Sequence, residues 1–151
     1  MDSIDIKILN CLHENARMSS SMIGERINLS VSAVIERIKK LEQSGIIKGY
    51  PVILNSEAIG KETAAFVFVS LEHPRYNDLF VELIHKNSEI TECHMITGDF
   101  DFIVKVMTHS TKSLERILVG IKRIKGVSLT RTLVVLRSVK EEFLSIGLDH
   151  N

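Results

Sequence analysis

Apolar residues in the first 45 positions recur at helical spacing. Ile4, Ile8 and Leu12 fall four apart, with Leu9 and Cys11 at the edges of the stripe; together they describe one buried helix face. Asp2 and Asp5 stand three residues apart at its start. They form an aspartate version of the capping box, and both carboxylates suit the positive end of the helix dipole. Asn15-Ala16-Arg17-Met18 breaks the pattern, and Ser19 to Ile27 resumes it with Ile23 and Ile27. Three serines are available there to cap the second helix. After the tight connection Asn28-Leu29-Ser30 comes SVSAVIERIKKL, Ser30 to Leu41. Val34, Ile38 and Leu41, with Ile35 beside them, make an apolar face that leaves Ser32, Ala33, Glu36, Arg37, Lys39 and Lys40 outside. Gly45 is a natural stop, because glycine takes a positive φ without steric cost. Two short helices joined by a tight turn, the second carrying exposed cations, describe a helix-turn-helix.

The period then changes. Ile46 to Leu54 is β-branched and contains Tyr50-Pro51, a pair that disfavours helix at residue 50. A strand-like linker is expected there, with a polar boundary from Asn55 to Lys61. From Ala64 to Glu72, Ala65, Val67, Val69 and Leu71 alternate with Phe66 and Phe68, so the strand is apolar on both faces. Tyr76, Phe80, Leu83 and Ile84 return to helical spacing. Ile90–Thr97 and Phe102–Met107 flank the turn Gly98-Asp99-Phe100-Asp101 as a hairpin. Ser110 caps a helix carrying Leu114, Ile117, Leu118 and Ile121; Gly126 ends it, and a strand runs from Val127 to Arg137.

The expected fold is therefore α+β. A helix-turn-helix domain covers residues 1–45, an extended linker strand 46–60, and a ferredoxin-like βαββαβ sandwich 61–151. Two helices cover one face of such a sheet. Apolar residues on its other face imply that something packs there, most simply a second copy.

Hydrophobic residues at 44% and charged residues at 25% fit an ordinary folded domain. Net charge is zero, so the molecule as a whole is no generic polyanion binder. Up to Tyr50, seven cations (Lys7, Arg17, Arg26, Arg37, Lys39, Lys40, Lys48) face six carboxylates. Attraction to DNA must come from local placement and from doubling in a dimer. Cys11 and Cys93 are far apart and lack ligand spacing, as in a reduced cytoplasmic protein. No apolar run approaches the ~18 residues of a membrane span, and no signal peptide is expected. Six histidines form no HExxH or comparable ligand set, and there is no Walker loop or dinucleotide fingerprint. Cys93 and His94, adjacent in a strand, point to opposite faces and cannot act as a nucleophile–base pair. Catalysis, a cofactor and a metal site are not expected.

The stretches IDIKILNCL, LSVSAVIERIKKLEQSGIIKGY, ECHMITGDFDFIVKV and GVSLTRTLVV resemble the Lrp/AsnC (feast/famine) family of transcription regulators along nearly the whole chain. The resemblance implies a winged-type helix-turn-helix and a C-terminal effector-binding and oligomerisation domain. It also implies homodimers that associate to tetramers or octamers, and amino-acid sensing by a cytoplasmic, nucleoid-associated protein. Family members often carry proline just after the position of Ser30 and again two residues on; Val31 and Ala33 stand there instead. Base preference therefore does not carry over.

For double-stranded DNA, Ser32, Ala33 and Arg37 are the candidates for base edges, with Arg37 able to pair bidentately with guanine. Ser21, Ser30, Lys39 and Lys40 suit phosphate. By resemblance, the small-molecule effector, an amino acid, lies near the hairpin turn. Gly98, Asp99, Phe100 and Asp101 are the candidates there, with Met95, Thr130, Thr132 and Val134 as lining. The alternative is an architectural DNA-compacting protein of low sequence specificity, without an effector.

Overall fold

A computed structural model describes residues 1–142; residues 143–151 of the expected second domain lie outside the described residues. The chain divides into two compact units, Met1–Ile53 and Leu54–Lys140.

In the first unit, helix α1 spans Ser3–Glu14, α2 Ser20–Ile27 and α3 Val31–Gln43. Each starts where a side chain accepts otherwise unpaired backbone N–H groups. The Asp2 carboxylate accepts from Ile4 and Asp5, while the Asp5 side chain accepts from the Asp2 N–H, closing the capping box. Ser19 caps α2 through the Met22 N–H, and Ser30 caps α3 through the Ala33 N–H. The core is Ile8, Cys11, Ile23, Val34 and Leu41. Cys11 thus sits inside the core rather than at its edge. Ile35, expected on the apolar face, is 53% exposed, because one residue beyond Val34 turns the side chain about 100° away from the core.

The linker departs from expectation. Residues 46–54 carry no strand pairing, and the segment from Ser56 to Gly60 is a run of turns. An extended segment becomes a strand only when a neighbouring strand takes its backbone hydrogen bonds; here the Ile47 N–H donates instead to the Leu41 carbonyl at the end of α3, at 3.1 Å. Tyr50 is instead held by its hydroxyl, which donates to the Glu42 carboxylate at 2.9 Å. Val52, Ile53 and Leu54 remain exposed.

The second unit runs β1 Thr63–Leu71, α4 Asn77–His85, β2 Ile90–Met95, β3 Phe102–Thr108, α5 Thr111–Lys122 and β4 Val127–Val134. The sheet order is β2-β3-β1-β4, with every pair antiparallel. This is the ferredoxin-like arrangement. Ala65, Val67 and Val69 of β1 stand in register with Val106, Val104 and Phe102 of β3. With Phe80, Ile84, Leu114, Ile117 and Ile121 from the helices they form the core. The Phe80 and Phe102 rings pack 4.8 Å apart, tilted, a favoured aromatic geometry. On the opposite sheet face, Phe66, Phe68 and Ile103 stand beside the exposed Leu129 and Leu133.

Three boundaries differ from the pattern. The last strand ends at Val134, opposite Ala65 of β1, rather than at Arg137. Strand β2 stops at Met95, where the Ile96 N–H donating to the Asp101 carbonyl closes the hairpin loop. Tyr76 belongs to a short 3-10 turn, Pro74–Tyr76, not to the helix. Its ring occupies the space a side chain at Gly126 would need.

Candidate nucleic-acid interface and ligand-binding loop

The α2–α3 connection depends on two backbone features. Asn28 takes the left-handed conformation at φ 57°, and its N–H donates to the Gly24 carbonyl. A Cβ on Gly24 would lie 2.5 Å from the Leu29 carbonyl oxygen, so only glycine lets the turn fold this close to α2. The start of α3 is fixed by that approach.

Around it, Ser21, Ser30, Ser32, Lys39 and Lys40 are exposed and Ala33 is half-buried. The Ser30 and Ser32 hydroxyls stand 3.3 Å apart. Lys40 pairs with Glu36 one turn back at 2.7 Å, holding the Glu36 carboxyl below its usual range. Arg37 is placed differently from a free base-reading side chain. Its guanidinium bonds both Asp2 and Asp5 at 2.7 Å, and its side chain is only 29% exposed. Asp2 is correspondingly pushed below the ordinary carboxylate range, first by the Asp5 N–H and then by Arg37. Sequence reading missed these aspartates as partners, since 35 and 32 residues separate them from Arg37. It also missed Met22, Val31 and Ile35, apolar side chains of α2 and α3 turned to solvent.

In the second unit, Gly98 (φ 114°) opens the hairpin turn. The loop is tied to β1. The Asp101 carboxylate accepts from the Leu71 N–H at 2.7 Å, the Asp101 N–H donates to the Val69 carbonyl at 3.0 Å, and the Ser70 hydroxyl donates to the Asp99 carbonyl. The Phe100 ring lies 5.4 Å from Phe68. Asp101 keeps an exposed side, and Oδ1 is named in none of these bonds.

The expected lining residues do not converge within one chain. Met95 pairs with Phe102, Phe102 with Val69, and Val69 with Thr130. Met95 and Thr130 thus share one row of the sheet but sit at opposite edges, three strand spacings or about 14 Å apart. Thr132 and Val134 lie further along the same edge strand. Period-2 alternation fixes a face and not a position across the sheet, which is why the grouping looked compact in sequence.

Glu92 and His94, which strand alternation places on one face, lie on the open face with Lys105. Glu92 accepts from Lys105 at 3.1 Å and stands 3.4 Å from His94. Burial pushes the Glu92 carboxyl up, but Lys105 and His94 outweigh it and leave it below its usual range. Cys93 faces the helices in register with Val104 while His94 pairs with Ile103, so the two do point apart; burial pushes the Cys93 thiol up. Among the described residues no three His, Cys, Asp or Glu side chains gather to hold a metal ion, and no helix is long and apolar enough to cross a membrane.

Residues 64–144 match the family model described as the Lrp/AsnC ligand binding domain, and residues 1–48 match a winged helix-turn-helix DNA-binding model. The chain belongs to the Lrp/AsnC family. Two relatives align over 93% of it: the proline dehydrogenase transcriptional activator of Rhizobium radiobacter at 38% identity and 92% of its length, and the leucine-responsive regulatory protein of Haemophilus influenzae at 36% and 87%. A transcriptional regulator from Neisseria meningitidis, solved as its L-Met complex, is similar at a TM-score of 0.91 and 29% identity, covering 99% of this chain and 98% of that one. As a Lrp/AsnC member, the protein is a DNA-binding transcriptional regulator with an N-terminal helix-turn-helix and a C-terminal ligand-binding domain.

Proposed function

We propose that α3 reads an operator through Ser32, Ala33 and Ile35 while Ser21, Ser30, Lys39 and Lys40 hold phosphates. The observation carrying this is the outer face of α3, where small, apolar and cationic side chains stand exposed opposite the buried Val34 and Leu41. Ile35 suits a thymine methyl. Arg37 joins the base contacts only by exchanging Asp2 and Asp5 for guanine O6 and N7. The domain division is 1–45, a connector over 46–60, and an effector and assembly domain from 61.

The effector is an α-amino acid. Its ammonium meets Asp101, and its carboxylate meets backbone N–H groups at Gly98 and Asp99. Because Met95 and Thr130 stand at opposite sheet edges, a ligand touching both must lie between copies. The open sheet face, with Phe66, Phe68, Leu129 and Leu133, is covered by a second copy, and the dimers assemble to tetramers or octamers in the cytoplasm, on the nucleoid. A dimer sets two recognition helices roughly 34 Å apart and requires a near-palindromic site. The protein performs no catalysis.

Mobility-shift and footprinting on DNA upstream of its own gene, with and without each amino acid, test this reading. Phased protection of one region, altered by one or a few amino acids in parallel with the mass from light scattering, is expected. Uniform protection of unrelated duplexes with no amino-acid response overturns it. That result fits a second reading, low-specificity DNA compaction, which the engagement of Arg37 by Asp2 and Asp5 favours.

A further inference from the structure

Helices α4 and α5 turn a groove of about 700 Å³ to solvent. Its floor is apolar, with Leu79, Leu83, Ile117 and Ile124 among the lining residues, and Leu79 and Leu83 remain exposed. Gly120 lines the groove from the last turn of α5. Glycine within a helix stabilises it less than alanine does, so its presence asks for a reason. At Gly24 and Gly126 the reason lies inside the chain, where neighbouring atoms at 2.5 and 2.2 Å already occupy the Cβ space. At Gly120 a Cβ would meet nothing within 4 Å. The bare backbone therefore serves no packing within the described chain; it lets an element from outside approach closely.

Charge identifies the class of that element. Lys86, Arg116, Arg123 and Lys125 line the groove, against Glu89 as its one carboxylate. Lys86 is paired with Glu82 at 2.6 Å and Arg116 with Glu89 at 2.9 Å. Arg123 and Lys125 make no ion pair among the described residues. A chain with no net charge thus concentrates cations here. Two such grooves laid face to face would set like charges opposite one another, which disfavours a second copy as the occupant. We propose that the α4–α5 groove docks an acidic amphipathic helix of a partner protein. Its apolar ridge seats over Gly120 and its carboxylates reach Arg123 and Lys125. A helix of about three turns matches the 12 residues of α5.

The test uses the full chain and a fluorescein-labelled amphipathic peptide with leucine at every third or fourth position and glutamate elsewhere. Its control carries lysine in place of glutamate. Fluorescence anisotropy should show saturable binding of the acidic peptide, about tenfold or more tighter than the control. Gly120→Leu, whose side chain enters the groove and not the core, should remove that binding without lowering the melting temperature. The pair Arg123→Glu and Lys125→Glu should weaken it by about tenfold. If the leucine variant fails to fold, Gly120→Ala replaces it, with a few-fold loss expected. Equal binding of both peptides overturns the proposal, as does unchanged binding to the Gly120 variants. So does displacement of the peptide by unrelated duplex DNA, which would put it on the cationic face of α3. Loss of self-association on sedimentation of Gly120→Leu also overturns it, making the occupant a second copy.

Discussion

Replacing Gly24 with alanine adds one methyl group where the Leu29 carbonyl oxygen already lies, 2.5 Å from the ideal Cβ position. In an open helix interior the exchange is favourable by about 0.5–1 kcal/mol, because alanine loses less backbone freedom on folding. Here the group in the way is main chain, in a turn tied back to α2 by the Leu29 N–H bond to the Gly24 carbonyl at 2.9 Å. Relieving the clash moves Leu29 and the Ser30 cap together. Overpacking of this kind costs about 1–3 kcal/mol, occasionally more, so the clash wins over the helix gain. We expect Gly24→Ala to destabilise the first unit by about 1–2 kcal/mol and to weaken DNA binding by displacing the start of α3.

Gly120→Ala is the matched control. It is the same exchange in a helix of the second unit, with nothing within 4 Å of the new methyl. It should stabilise by about 0.5–1 kcal/mol, and a kcal/mol is worth roughly 4–8 °C of melting temperature in a domain of 60–100 residues. Scanning calorimetry of both variants, with hydrogen exchange to assign each transition to its unit, reads the two signs. A first-unit transition in Gly24→Ala at or above that of the parent refutes the steric account of the turn. A fall in Gly120→Ala refutes the propensity argument.

Ser30→Ala removes the hydroxyl that accepts from the Ala33 N–H; a loss of about 1 kcal/mol is expected, seen as faster hydrogen exchange at Ala33 and Val34. Gly126→Ala combines a left-handed φ of 94° with atoms of Tyr76 at 2.2 Å, and should lower the second unit's melting temperature; adding Tyr76→Ala should recover only part of the fall, because the Tyr76 Cβ at 2.6 Å and the backbone strain both remain. The carboxyl of Asp2 is held in the fold below its ordinary value of 3.8. Its stabilising effect is therefore present above that value and lost as pH falls through the lowered one. Asp2→Asn should lessen the acid loss of first-unit stability below about pH 4, followed by thermal melts down to pH 2. The Tyr50 hydroxyl, raised to about 12 by burial and then by Glu42, stabilises fully below pH 10 and loses that contribution as pH rises through 12. Tyr50→Phe should flatten the alkaline limb of the same melts.

How much of this was legible in the chain follows from the range of each cause. Helix starts depend on residues within four positions, so Asp2, Ser19, Ser30 and Ser110 marked them in sequence and cap them in structure. Alternation in β1 assigned Ala65, Val67 and Val69 to one face because a strand repeats every two residues, and that face is the buried one. The linker was misread for the same reason: β-branched residues state a preference for extended backbone, but pairing is a property of a neighbour. The last strand was drawn too long because its end is set by its pairing with the distant β1, where Ala65 is the last residue to take a β4 partner.

The site was less legible than the fold, and Arg37 shows why. Spacing put it on the outer face of α3, and it does lie outside the buried Val34 and Leu41. Only the folded unit brings Asp2 and Asp5 from the start of α1 against it. Those same aspartates build the capping box of α1. The capping pair is thus also an internal competitor for the cation best suited to guanine. A duplex that recruits Arg37 must displace two carboxylates, so a site without guanine there loses less than a freely exposed arginine would make it lose. Under the docking of α3 proposed above, discrimination at that position would be damped by the fold itself, and specificity would shift toward Ser32, Ala33 and Ile35, which no charged group among the described residues holds back.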